Sequence, residues 1–369
     1  VERPSDNPED HATLVILAFS GGGTRAAAFS FGVLETLRDM EVTTKSGRHV
    51  RVLDTVDVIT GISGGSFTAL AFGLHGEKLF DIYETSFLKR DVQGELLGRA
   101  LSPANWPSLS STGWGRSELA ANFYDEILFG GATFKDLRRD GPRINVSATD
   151  LADGTRLIFN QENFDVLCTD LSSIRLARAA AASSAVPVVL SSITIDNFGG
   201  TCGYRPPPWT KLFLDNPNPP RPASRTVKRL QELEAFADRQ HRPYLHLVDG
   251  GVSDNVGMRG VLDVMATFEA LHTAGMPTQY DHVRNIFVFV VNSLATPPND
   301  WNRREDPPGI FDVLLKATGT PIDRYSYDTV ETLRDIQARW ASLRQVRDAI
   351  RPYPPLGQKL PEVMRAPDI

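Results

Sequence analysis

The sequence predicts an α/β fold on a mostly parallel sheet, and three stretches predict it. LVILAFSGGG (14–23), VDVITGISGG (56–65) and PYLHLVDGG (243–251) each run from an apolar segment of strand length into glycines. Short, near-continuous apolar runs closed by turn residues suit strands covered on both faces, which is the situation in a helix-flanked parallel sheet.

The first strand is read over Leu14 to Phe19. After Arg25, Ala28, Phe31, Leu34 and Leu37 recur at helical spacing, so Gly21, Gly22 and Gly23 form a strand-to-helix turn. Such a turn presents backbone N–H groups without side chains in the way, and the helix dipole adds positive charge there. The geometry favours an anion. Gly21, Gly23 and Ala26 satisfy G-x-G-x-x-G/A, the dinucleotide pattern, but that pattern also needs an acid at the end of the next strand. Glu41 has about the right spacing but precedes a polar turn, and no Gly-Lys-Ser/Thr follows the glycines. The remaining candidate is transient: the oxyanion of acyl transfer.

The second strand, Val56 to Thr60, leads into Gly61-Ile62-Ser63-Gly64-Gly65 and then a helix-compatible SFTALAFGL. This is G-x-S-x-G in a strand-turn-helix context. A sharp turn lifts the serine hydroxyl above the sheet, the glycines avoid clashes, and the helix N-terminus favours negative charge on the oxygen. The pentapeptide alone equally describes a helix cap in a glycine-rich turn; its context favours a nucleophile. A nucleophilic serine needs a base. There are seven histidines, His11, His49, His75, His241, His246, His272 and His282; in the chain order of an α/β-hydrolase His272 or His282 could formally serve, and His246 differs only in its neighbours. His272 lies in the helical DVMATFEALHTAG, and His282 just before the strand RNIFVFVVNS. Solvation or packing explains each better than catalysis. The third strand, Tyr244 to Val248, ends in Asp249-Gly250-Gly251. That places a carboxylate where open sheets gather ligands, although D-G-G alone also reads as an Asx turn.

GGGTR, GISGG and DGG, in this order and each after an apolar strand, resemble the motifs of the patatin-like phospholipase family, which includes plant storage lipases and the catalytic domain of cytosolic phospholipases. The resemblance spans roughly residues 14–257 and implies a three-layer α/β/α fold with a mostly parallel central sheet. It implies that Ser63 is the nucleophile and Asp249 its partner in a Ser-Asp dyad without histidine. It further implies that Gly21, Gly22 and Gly23 supply oxyanion-hole N–H groups with Arg25 as the basic position. Gly61 and Gly65 would flank the nucleophile elbow, and Gly250, Gly251 and Asn255 would support the aspartate. RLARAAAASSAVPVVLSSITI (175–195) is similar to the family's A-S-x-A-x-P segment, with a helix ending near Ser184 before Pro187. One departure stands out: the family usually shows Asn-Pro after D-G-G, whereas Asn255 is followed by Val256. The implied activity is hydrolysis of lipid carboxylic esters through an acyl-enzyme, without cofactor or metal. A silent storage or scaffold protein is the alternative, and a dinucleotide-binding oxidoreductase a further one.

Composition suits a single large α/β body: 369 residues, 41% hydrophobic and 23% charged, without a break that would split it. We expect a polar lead-in over 1–13 and a catalytic domain over 14–293 with an insertion loop at about 197–225. A C-terminal extension follows over 294–369. The net charge of −6 gives no reason to expect nucleic acid, and two cysteines with scattered histidines give no metal-ligand spacing. No apolar stretch reaches the roughly 18 residues of a membrane span. RPPPWTKLFLDNPNPPRPAS (205–224), with Trp209, Leu212, Phe213 and Leu214, reads as a lid, as a lipid-contacting loop, or as a loop packed on the body. LSPANWPSLSSTGWG (101–115), with Trp106 and Trp114, carries the same alternatives, and TVKRLQELEAFADRQ reads as an exposed helix. Leu333, Ile336, Trp340, Leu343 and Val346 form one amphipathic stripe expected to pack on the body, with a partner or a membrane surface as alternative. The lead-in VERPSDNPEDHAT suits a tether, as in some bacterial members of the family attached to the cell envelope. A Cys168–Cys202 disulfide would suit an oxidising compartment, and free thiols the cytoplasm. We expect the envelope or periplasm, with a lipid substrate met at a membrane surface.

Overall fold

The computed structural model describes residues 12–44, 47–102, 116–187, 190–294, 301–303 and 305–350, with 352, 367 and 369. Residues 1–11 of the lead-in and the loop holding Trp106 and Trp114 lie outside the described residues. Strand β1 (Thr13–Phe19) feeds helix α1 (Gly23–Asp39), and a small hairpin, β2 (Glu41–Thr43) and β3 (His49–Arg51), follows. Strand β4 (Val58–Gly61) feeds α2 (Gly64–His75), then α3 (Leu79–Tyr83), α4 (Val92–Leu101) and α5 (Arg116–Tyr124). Next come β5 (Arg143–Asp150), β6 (Arg156–Ile158), α6 (Gln161–Val166), α7 (Leu176–Ser183) and β7 (Ile193–Asp196). The short α8 (Lys211–Leu214) and α9 (Ser224–Ala237) precede β8 (Tyr244–Val248), α10 (Gly251–Asp254), α11 (Arg259–Thr273), β9 (Asn285–Val291) and α12 (Ile310–Ile350).

The main sheet has the order β7-β8-β5-β4-β1-β9, with β6 attached to β5. Strands β5, β4, β1 and β9 are parallel, whereas β8, β7 and β6 run antiparallel to their neighbours. Alternation along β1 sorts the two faces. Val15, Leu17 and Phe19 join the core built with α1 and α2, whereas Ile16 and Ala18 join a second core with Val261 and Leu262 of α11 and Trp340 of α12. Helices thus cover both faces of the sheet, giving three layers. Helix α2 is buried over Gly64 to Gly73, which explains why its sequence is apolar all round.

Strand β4 begins later than its apolar run, at Val58, because Asp57 turns its carboxylate to accept the Val15 N–H at 2.8 Å. The aromatics of 205–224 pack inward: Phe213 is buried and Trp209 meets it edge-on at 5.9 Å. Helix α9 departs from its expected exposed character. Leu230 and Phe236 are buried, and the half-buried Arg229 donates to the Arg156 carbonyl at 2.8 Å, so its polar sequence disguises an ion network against the body. On α12, Ile336 and Trp340 are buried with Leu333 and Leu343 beside them, while Val346 stays exposed. Cys168 and Cys202 form a disulfide. Among the described residues, no helix is long and apolar enough to cross a membrane.

Candidate active site

The turn after β4 places Ser63 at φ 48° and ψ −119°, a backbone region that non-glycine residues seldom occupy. Its neighbours hold it there. The Ser63 N–H donates to Ser183 Oγ at 2.9 Å, the Ser66 N–H to the Ser63 carbonyl at 3.0 Å, and the Gly65 N–H to the Ile62 carbonyl at 2.8 Å. The flanking glycines are needed for close approach. A Cβ on Gly61 would lie 2.8 Å from Ser66 Cα, and one on Gly65 would lie 2.7 Å from both Phe19 Cβ and the Ser20 carbonyl.

Asp249 reaches the same sheet edge by a different route from the one its motif suggests. Strand β8 is antiparallel to β5 and pairs with it only through Thr149↔Val248 and Asp150↔Leu247. The chain therefore enters from beyond the carboxyl edge of the parallel strands, and Asp249 stops at that edge. The Asp249 N–H donates to the Ala185 carbonyl at 2.9 Å, the Gly250 N–H to the Ser183 carbonyl at 3.0 Å, and Thr149 Oγ1 to the Asp249 carbonyl at 3.0 Å. Its carboxylate accepts two hydrogen bonds: Oδ1 from the Gly251 N–H at 2.7 Å, and Oδ2 from Ser63 Oγ at 2.8 Å. Ser63 and Asp249 are both buried, 4% and 7% exposed. Burial pushes the Asp249 carboxyl up to about 6 against the downward pull of the Gly251 and Ser63 donors. A carboxylate near 6 can accept a serine proton near neutrality.

The glycine turn lies beside this pair, but one of its three amides is already occupied. The Gly21 N–H donates to the Asn255 carbonyl at 2.8 Å, so Gly21 is not an oxyanion donor and instead anchors the turn to the aspartate loop. Its α-carbon leaves no room for a Cβ beside Asn255 Oδ1. Gly22 (φ 138°) and Gly23 (φ 65°) are exposed and lie in left-handed conformations that favour glycine. No protein acceptor for their N–H groups is present among the described residues. Gly64 packs directly on the Gly23 peptide, where a Cβ would collide with the Gly23 carbonyl, so α1 and α2 bring their N-termini together at Ser63. The exposed Arg25 places its guanidinium near Gly22.

Asn255 also links the site to α12 through Nδ2 and Ser326 Oγ at 3.4 Å. Among the described residues, the histidines make no contact with the pair. His272 Nε2 pairs with Asp281 Oδ1 at 2.7 Å, and His246 Nδ1 with Thr194 Oγ1 at 3.0 Å. Glu41 opens the β2–β3 hairpin, which is separate from the main sheet, so it does not stand where a dinucleotide ribose would need an acid. Among the described residues, no three His, Cys, Asp or Glu side chains gather as a metal site. Three contributors escaped sequence reasoning. Ser183, in the A-S-S-A run beside the expected helix end, accepts the N–H groups of Ser63 and Gly250; Gly64 spaces the two helix starts; and Ser293, just past β9, supports the glycine turn.

Fold and site together define an α/β protein whose buried serine sits on a strand-to-helix elbow in contact with a carboxylate. The chain belongs to the patatin-like phospholipase family, whose model matches residues 17–262. Human GIVD cytosolic phospholipase A2 is similar at 15% identity with a TM-score of 0.37, over 78% of this chain and 47% of that one. The same human enzyme in complex with methyl gamma-linolenyl fluorophosphonate is similar at 20% identity and a TM-score of 0.23, over 43% of this chain and 24% of that one. The type III effector protein ExoU is similar at 15% identity and a TM-score of 0.27, over 94% and 68% of the two chains. The chain thus spans about half the length of the first of these, 47%. No curated protein sequence matches it.

Proposed function

We propose that the protein is a serine acylhydrolase that cleaves lipid carboxylic esters with a Ser63-Asp249 dyad. The observation that carries this reading is the 2.8 Å hydrogen bond from Ser63 Oγ to Asp249 Oδ2 at a strained elbow. Asp249 takes the Ser63 proton as Oγ attacks the ester carbonyl. The Gly22 and Gly23 N–H groups stabilise the resulting oxyanion, with Arg25 adding positive charge at the mouth. Collapse releases the alcohol, which takes its proton from Asp249. Water then attacks the acyl-enzyme, giving its proton to Asp249, and the proton returns to Ser63 Oγ as the fatty acid leaves.

The test is ester turnover on a p-nitrophenyl chain-length series and on phosphatidylcholine vesicles, comparing wild type with Ser63→Ala and Asp249→Ala. Loss of turnover in both variants, with the fold retained, is the expected outcome. Near-wild-type activity in Asp249→Ala would remove the carboxylate from the mechanism, and absence of any ester turnover would favour a silent scaffold. The substrate is met at a membrane surface, so vesicle hydrolysis should exceed that of the same monomeric lipid. The Cys168–Cys202 disulfide supports a place in the cell envelope or periplasm. Protein alkylated directly in cells should carry that bond intact; two free thiols there would count against this location.

A further inference from the structure

We infer that Ser293, with Ser20, is a positioning residue that aims the oxyanion-binding amide of Gly22; this rests on the acyl-transfer reading above. Neither serine belongs to the motifs that mark the site, and Ser293 lies 31 residues past the end of the family match at 262. The register of the sheet brings them together. Strands β1 and β9 pair through Phe19↔Val291, and just beyond, the Ser20 N–H donates to the Val291 carbonyl at 3.1 Å. The Ser293 N–H returns to Ser20 Oγ at 2.9 Å, and the two hydroxyls lie 3.2 Å apart. Both side chains are buried.

Both hydroxyls reach one atom. Ser293 Oγ donates to the Gly21 carbonyl at 2.7 Å, and Ser20 Oγ donates to the same oxygen at 3.0 Å. The Gly21–Gly22 bond is trans, so its N–H points opposite to its carbonyl. Fixing the carbonyl inward on the serine pair therefore directs the Gly22 N–H outward, where Gly22 is exposed and its amide has no protein partner among the described residues. Because the Gly21 N–H is held by the Asn255 carbonyl, the same peptide plane is braced through its flanking residue as well. Glycine chains at φ 138° and 65° have little conformational preference of their own. Without the serine pair, this peptide would be free to flip and present its carbonyl, a repulsive group, to a developing oxyanion. Gly22 itself must lack a side chain, since a Cβ would run into Ser293 Oγ.

The experiment compares Ser293→Ala, Ser293→Thr and the double variant Ser20→Ala/Ser293→Ala with wild type and with Ser63→Ala. Three quantities are read: kcat and KM for a p-nitrophenyl ester, the inhibition constant of an alkyl trifluoromethyl ketone, and the melting curve. The ketone adds to serine to form a tetrahedral oxyanion, so its affinity reports the amide donors directly. Losing a whole oxyanion donor costs on the order of a hundred- to a thousand-fold, so a misaimed amide should cost about ten-fold in kcat in Ser293→Ala and about a hundred-fold in the double variant. KM should stay within about two-fold, ketone affinity should fall by the same factor as kcat, and Ser293→Thr, which keeps the hydroxyl, should retain most of the rate. A Ser293→Ala enzyme with wild-type kcat, or one whose kcat falls while ketone affinity holds, overturns the assignment. A loss in Ser293→Ala that Ser293→Thr shares in full also overturns it. If Ser63→Ala itself keeps wild-type turnover, the acyl-transfer reading fails and takes this one with it. If Ser63→Ala is dead and Ser293→Ala is normal, only the role of Ser293 falls.

Discussion

Replacing Asp249 by Asn should abolish turnover and yet stabilise the protein, with a pH dependence that identifies the cause. Burial raises the carboxyl from 3.8 to about 6, so the folded protein binds a proton more tightly than the unfolded chain. The sign follows from linkage: below 3.8 the group is neutral in both states and costs nothing, and above about 6 it is ionised in both and the folded state bears the full penalty. At 1.36 kcal/mol per pH unit, the rise from 3.8 to about 6 makes that penalty about 3 kcal/mol at neutral pH and about 1 kcal/mol at pH 4.5. Asparagine fits the same hydrogen bonds. Its Oδ1 accepts the Gly251 N–H, and its Nδ2 donates to Ser63 Oγ, where Asp249 Oδ2 now accepts. The stability advantage of Asp249→Asn, measured by urea unfolding, should therefore grow by about 2 kcal/mol between pH 4.5 and 7.5. A difference that is flat across that range, or that shrinks as pH rises, would refute a buried carboxylate of raised affinity as the base.

Three further outcomes follow from the same geometry. Because Asp249 must be ionised to take the serine proton, kcat/KM should rise about ten-fold per pH unit below about 6 and level off above it; an acid limb centred near 4 would count against Asp249. Gly64→Ala would drive a Cβ into the Gly23 carbonyl and spread the two helix starts. Its kcat, and its rate of labelling by a fluorophosphonate, should fall together on the order of a hundred-fold, and the urea midpoint should fall as well, since backbone must shift to admit the methyl at an overpacking cost of about 1–3 kcal/mol. Cys168→Ser/Cys202→Ser opens a loop of sequence separation 34, which the chain-entropy model values at about 3–4 kcal/mol in urea unfolding. The same loss should appear in wild type on adding reductant, and absence of any difference would show that the loop is held by packing alone.

The parts of this fold legible in the sequence are those where one local rule decides. Apolar runs of strand length gave β1, β4, β8 and β9, and glycines at their ends gave the turns that hold Ser63 and Asp249. What escaped depends on partners far along the chain. Nothing near Tyr244 reveals that β8 enters antiparallel, because its direction is set by the two-residue pairing with β5. Nothing near Gly21 reveals that its amide is taken, since the acceptor is Asn255 on another loop. Helix α9 reads as solvated because Arg229 and Glu232 are charged; only in three dimensions does Arg229 meet Arg156, Asn163 and Glu232 in a partly buried network. Ser183 and Ser293 are ordinary serines in sequence, and their distinction lies in which peptide each one touches.

On the dyad reading proposed above, a carboxylate is asked to do the work of an imidazole, and the surroundings of Asp249 bear on that demand. At 3.8 the group would be a poor base near neutrality; at about 6 it lies within range of the operating pH. The shift comes from burial, and burial of an ionisable group destabilises the fold that provides it. The compensation is local and made mainly through backbone. Ser183 holds the peptides of Ser63 and Gly250, Ala185 holds the Asp249 amide, and Thr149 holds its carbonyl. These bonds fix where the carboxylate points without adding donors to its oxygens, which would pull its affinity for protons back down. Among the described residues only Gly251 and Ser63 donate to the carboxylate itself, one orienting it and the other, on the proposed reading, giving up the proton. On this view Ser183→Ala should loosen the elbow, whose Ser63 N–H loses its hydroxyl acceptor, while the Ser183 carbonyl keeps its hold on the Gly250 N–H. The acid limb of kcat/KM should stay near 6 while kcat falls; a limb displaced toward 4 would mean that Ser183 acts on the carboxylate's environment instead of its position.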